Sequence, residues 1–148
     1  MPEMPGSDDA LRAALHGIRG LLLDLDGVLV MAGKAIPGAP EAMAELDRRA
    51  VPYLLVTNTS LVSRTSLAAW GRSVGFSTPP DRLQSALSAS AELVRREYGQ
   101  RPVFVIASSD ALGEFAGLNV VDAAGAKAAA EGDVAAVVLG DSPDQLTK

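Results

Sequence analysis

The chain has no cysteine, a single histidine, a single tryptophan and few aromatic residues of any kind, 4% in all. Without thiols there is neither a disulfide framework nor a thiolate zinc site, which suits a reducing compartment, and a cytoplasmic protein is the expectation. The one histidine, His16, precedes the first apolar strand, so a Ser/His/Asp hydrolase lacks a well-placed base. No run of Lys or Arg stands out and the net charge is −5, which argues against nucleic acid as a partner. The longest apolar runs, such as Leu21 to Leu23 and Val134 to Leu139, fall far short of the roughly 20 residues that span a bilayer. Met1 to Asp9 lacks the basic and apolar regions of a signal peptide. No membrane partner is expected.

What is present is a chain of 148 residues, 48% of them hydrophobic, enough for one domain with a core of Leu, Val and Ala. Asp8 or Asp9 is placed to cap a short helix through Leu11, Leu15 and Ile18, which Gly20 ends before an apolar strand at Leu21 to Leu25. Gly and Pro between Val28 and Pro40 predict an extended loop or small hairpin, followed by a helix from about Pro40 and a second strand at Val51 to Val56. Ser60 or Ser63 can cap a helix through Leu67, Trp70 and Val74, with Gly75 at its end. Leu87, Ala91, Val94 and Tyr98 form a further helical stripe up to Gly99. A third strand is predicted at Val103 to Ala107, a short helix capped by Ser109, and a fourth strand at Val134 to Leu139. The Ala-rich stretch Ala123 to Ala130 reads as either helix or loop. Strands alternating with helices predict a parallel α/β architecture.

The first strand delivers Asp24 and Asp26 onto Gly27, at the carboxyl end where open α/β sheets keep their ligands. Two neighbouring carboxylates repel, and a hard divalent ion offsets that repulsion; Mg²⁺ takes one or two carboxylates together with water and substrate phosphate. Asp24 and Asp26 are therefore the candidate metal ligands and the candidate catalytic pair. In such a mechanism Asp24 attacks phosphorus to give an aspartyl-phosphate, while Asp26 protonates the leaving oxygen and later activates water. Thr57, at the end of the neighbouring strand, offers a hydroxyl to the phosphoryl oxygens, and Asn58 beside it braces the same phosphate-binding segment. An EF-hand loop is a poor rival, because its acidic positions and distal Glu are missing and a strand, rather than a helix, lies ahead of it.

Together these residues resemble the haloacid dehalogenase superfamily, whose first motif is an apolar strand followed by Asp-x-Asp-Gly-Val, here Asp24 to Val28. Gly33 to Pro40, Val56 to Ser60, Ser63-Arg64 and Val74-Gly75-Phe76 are similar to its class IIA branch. The resemblance covers about Gly17 to Leu146. It implies a Rossmann-like parallel core, with residues 1–98 as its N-terminal part and 99–148 as the opening segment of a C2-type cap. It implies a Mg²⁺-dependent phosphatase acting on small phosphorylated metabolites, with Asp24 as nucleophile, Asp26 as acid/base and Thr57 on the phosphate. Mg²⁺ would be held by the Asp24 side chain and the Asp26 carbonyl. For Ser63-Arg64 a helix cap and a solvated Arg are expected rather than substrate contact.

The family's third-motif Lys and its fourth-motif acids are not found. Lys127 lies too close ahead of Gly140-Asp141-Ser142-Pro143-Asp144, and the two acids of that segment are three apart rather than four. The chain is therefore expected to be incomplete and inactive or nearly so by itself, with Leu146-Thr147-Lys148 beginning a helix. Two other readings stay open: a complete, capless phosphatase with Asp141 or Asp144 as outer metal ligand, and a non-catalytic binding or subunit protein with this fold. A homo-oligomer is compatible with the sequence.

Overall fold

A computed structural model describes residues 16–142. The expected first helix, apart from Ile18, lies outside the described residues, as do Asp144 and the segment Leu146-Thr147-Lys148.

Among the described residues there are two parallel three-stranded sheets. The first has the order β1 (Leu21–Asp24), β4 (Tyr53–Thr57), β5 (Leu83–Ser85). Its register aligns Leu23, Leu55 and Leu83 in one row and Asp24, Val56 and Gln84 in the next. Between β1 and β4 lie an antiparallel hairpin, β2 (Val30–Met31) with β3 (Lys34–Ala35), and helix α1 (Ala39–Arg48). Helix α2 (Arg64–Ser73) follows β4, starting with the Ser63 hydroxyl accepting the Ser66 N–H. It stops in a Schellman turn: the Phe76 N–H donates to the Gly71 carbonyl and the Gly75 N–H to the Arg72 carbonyl. Gly75 takes φ +100° there, with Pro40 packed against it.

Helix α3 (Ala86–Tyr98) opens on a capping box of Ser85 and Ser88, and its stripe Leu87, Ala91 and Val94 is buried. It leads into the second sheet, ordered β7 (Val120–Val121), β6 (Val103–Ile106), β8 (Ala136–Leu139). A 3₁₀ turn at Ala111–Phe115 and the short helix α4 (Ala123–Ala128) fill the crossovers. Ser108, not Ser109, supports that turn, its hydroxyl accepting the Ala111 N–H. The Ala-rich stretch is helical at its start because the Asp122 carboxylate caps it through the Gly125 N–H.

Each sheet buries one face in its own apolar cluster. Tyr53, Leu55 and Leu83 join Leu25, Met43, Leu67 and Phe76 under the first, while Val103, Val105, Ala111 and Phe115 join the α3 stripe under the second. The opposite faces are open: Leu22 is 76% exposed, Val137 59% and Leu139 73%. The first strand is thus apolar on both sides but covered on one, the alternation of a strand that buries a single face. The structure bears out the predicted parallel α/β architecture, with β5 and β7 as additions that the sequence pattern did not reveal.

Candidate active site

Strand β1 ends at Asp24, so pleat alternation does not carry on to Asp26; a tight loop places it instead. Leu25 turns into the core, its N–H donating to the Val56 carbonyl at 3.1 Å and to Asp24 Oδ1 at 2.9 Å. Its carbonyl gathers the Leu29 and Val30 N–H groups at 3.0 and 2.9 Å, and the Gly27 N–H closes the loop onto the Val30 carbonyl at 2.6 Å. Gly27 makes the reversal at φ +86°, a conformation that costs any residue with a Cβ. Asp24 and Asp26 both stay exposed at the carboxyl end of the sheet.

One strand over, Thr57 ends β4 and is 3% exposed. Its hydroxyl donates to Asp26 Oδ2 at 3.3 Å and accepts the Thr59 N–H at 3.2 Å. Because Asp24 pairs in register with Val56, the residue before Thr57, the structure brings Asp24, Asp26 and Thr57 to one sheet end, with Asn58 exposed just beyond. A crevice of about 350 Å³ opens beside them. Asp26, Thr57, Thr59 and Ser66 form its polar side, and Leu25, Val62, Leu67 and Trp70 its apolar side. Larger cavities lie elsewhere: about 590 Å³ on the second sheet between Phe104, Leu112 and Val121, where the carboxylate of Asp122 is committed to capping α4, and about 460 Å³ beside Arg64, Asp81 and Glu114.

The donor set of the first site consists of hard oxygens: two carboxylates and a hydroxyl. That chemistry fits Mg²⁺, which needs only one or two protein carboxylates because it keeps most of its water. Among the described residues no three acidic or histidine side chains converge on one point. Asp141 is occupied elsewhere: its Oδ2 accepts the Ser60 hydroxyl at 2.8 Å and its N–H donates to the Ser60 oxygen at 3.1 Å. Gly140 before it runs against Leu87, where a Cβ would lie 2.9 Å from the Leu87 Cδ1 and the leucine would have to shift. His16 is exposed ahead of the sheet, and Lys127 is exposed in the last turn of α4.

Ser63 is the cap its position suggested. Arg64, expected to be solvated, is instead half-buried in an ion pair, its Nε 2.9 Å from Glu114 Oε2. Asp110 sits beside that pair. Its carboxylate is held below the usual range, foremost by the Ser63 backbone N–H and then by the Ser66 and Ser63 hydroxyls. Sequence reasoning missed both acids, since nothing local marks a partner about 50 residues away.

Comparison with known proteins places these features in context. The family model for haloacid dehalogenase-like hydrolases matches residues 21–121. Human chronophin is 34% identical over 139 residues, covering 88% of this chain and 47% of its own length. The dihydroxyacetone phosphatase of Corynebacterium glutamicum is 30% identical over 88 residues, 60% of this chain and 32% of that protein. Among solved structures, a hypothetical protein of Pyrococcus horikoshii superposes with a TM-score of 0.77 at 24% identity, covering 86% of this chain and 49% of that one. The chain spans between about a third and a half of the length of the relatives it matches.

Proposed function

The chain belongs to the haloacid dehalogenase-like hydrolase family, and from that premise we propose that the Asp24–Asp26–Thr57 site hydrolyses phosphate monoesters of small metabolites, in the manner of the class IIA branch. The carrying observation is the Thr57 hydroxyl, buried at the end of β4 and bonded to Asp26. Two carboxylates and a hydroxyl donor at adjoining strand ends make a nucleophile, a proton carrier and an anion ligand within reach of one phosphoryl group.

The Asp24 carboxylate attacks phosphorus, and the bond to the ester oxygen breaks as the aspartyl-phosphate forms. Asp26 gives its proton to the departing oxygen, then takes one from the water that cleaves the acyl phosphate. The Thr57 hydroxyl turns from Asp26 to a phosphoryl oxygen, and Asn58 steadies the loop it sits on. The Asp24 side chain and the Asp26 carbonyl would hold Mg²⁺, whose charge would offset the repulsion between the carboxylate and the phosphate. Phosphatases among the relatives support the reaction class. We read residues 1–98 as core and 99–148 as the opening of a cap, with α3 as the joint: it caps on Ser85 of β5 and packs its stripe on the second sheet. Among the described residues no third acid joins Asp24 and Asp26.

The test uses a stable mimic of the acyl phosphate and needs no turnover. Beryllofluoride with Mg²⁺ should give a bound ¹⁹F resonance with the wild-type chain and none with Asp24→Asn. An unchanged bound signal in Asp24→Asn refutes Asp24 as nucleophile.

A further inference from the structure

The segment that follows Thr57 and Asn58 is held from the second sheet at five of seven consecutive positions. The Ser60 hydroxyl binds Asp141 at 2.8 Å. The Leu61 carbonyl accepts the Ser108 hydroxyl at 2.5 Å. Ser63 gives its N–H and its hydroxyl to Asp110, at 2.8 and 3.2 Å, and the Ser66 hydroxyl adds a third bond at 2.9 Å. Arg64 gives its N–H and its Nε to the two oxygens of Glu114, at 2.6 and 2.9 Å.

Helix α2 does not need these acids to begin, because Ser63 already caps it through the Ser66 N–H. What Asp110 and Glu114 add is a fixed relation between α2 and the second sheet. Glu114 stands on the Ala111–Phe115 turn and Asp110 immediately before it, and Ala111 and Phe115 anchor that turn in the second core. Charge-assisted bonds of this kind are roughly twice as strong as neutral ones, and carboxylates suit the positive end of a helix. Between Thr57 and α2 only residues 58–63 intervene, three of them pinned. The loop that carries Thr57 and Asn58 is therefore stretched between β4 on one side and the second sheet on the other.

We propose that Asp110 and Glu114 are positioning residues of the phosphate site: through Ser63, Arg64 and Ser66 they set where Thr57 and Asn58 stand, so that placement of the second sheet governs anion binding at the first. The coupling stands on the contacts alone; that the bound anion is a phosphoryl group rests on the function proposed above. Couplings carried through packed and bonded elements of this kind change affinity by between about twofold and thirtyfold.

The experiment follows backbone amide resonances of the ¹⁵N-labelled full chain and titrates inorganic phosphate in Mg²⁺. Asp110→Ala should shift the Asn58 and Thr59 amides and weaken phosphate binding within that range. Asp110→Asn keeps one acceptor oxygen and should recover part of both effects. Asp122→Ala removes an equivalent cap in the second sheet, the bond to the Gly125 N–H at 2.7 Å, and should leave Asn58, Thr59 and phosphate affinity as in the wild type. Glu114→Gln gives the same two readings if Asp110→Ala fails to fold. Perturbation confined to residues 60–66 and the second sheet, with Asn58 and Thr59 unmoved, overturns the proposal. A wild-type chain that does not bind phosphate removes the functional assignment, while the amide shifts still decide the coupling.

Discussion

Replacing Gly27 and Gly75 by alanine separates backbone strain from steric contact, because the two glycines share a conformation and differ in surroundings. Both have positive φ, +86° and +100°. A Cβ at Gly27 would meet nothing within 4 Å, whereas one at Gly75 would lie 3.3 Å from the Pro40 Cγ and 3.4 Å from its Cβ. Forcing an L side chain into the left-handed region costs about 1–2 kcal/mol, and the stiffer unfolded chain returns about 0.4–1 kcal/mol of that. Gly27→Ala should therefore lose about 1 kcal/mol. Gly75→Ala should lose about 1 kcal/mol more, at the low end of overpacking costs, since Pro40 has to give way. Urea unfolding followed by circular dichroism measures both. With a urea dependence of about 2 kcal/mol per molar, the midpoints should fall by about 0.5 M and 1 M. A Gly27→Ala chain as stable as wild type, or less stable than Gly75→Ala, refutes the reasoning.

Burial sorts two leucines of adjacent strands. Leu55, 2% exposed in the first core, should cost about 2–5 kcal/mol when cut to alanine, while Leu22→Lys on the open face should stay within about 0.5 kcal/mol of wild type; equal losses in urea unfolding would contradict the one-faced sheet. Asp110 provides a pH test. Its folded-state pKa is depressed, so its stabilisation is present above the ordinary carboxylate range and is lost as the pH falls through the lower folded value. The stability difference between wild type and Asp110→Asn should be largest near neutrality and shrink in acid. A difference that stays constant down to about pH 3 rules this out.

Much of the frame was legible in the sequence because it is written in local pattern. Apolar runs bounded by Gly and Pro marked β1, β4, β6 and β8. Helical spacing marked α1, α2 and α3, and Ser63 and Gly75 marked both ends of α2. Strand β5 was not legible: its three residues lie between the Pro79-Pro80 turn and the capping box of α3, too short to show alternation. Strand β7, two residues long, left even less signal. At the site, the Asp24 to Val28 motif and Thr57 could be read because strand ends in a parallel sheet fall together. The crevice wall at Trp70 and the Glu114 and Asp110 contacts to α2 could not. They join residues far apart in the chain, and only the packing of the two sheets decides which meet. Arg64 illustrates the limit, since an Arg in a helix's first turn reads as solvated until its carboxylate arrives from elsewhere.

Trp70 is the sole tryptophan of the chain, and it packs against the first core at the edge of the crevice. Its emission therefore comes from one half of the molecule, whereas circular dichroism averages over the helices of both. Coincidence of the two unfolding curves would make the halves a single cooperative unit, and any gap between them would measure how much of the second sheet's stability is its own.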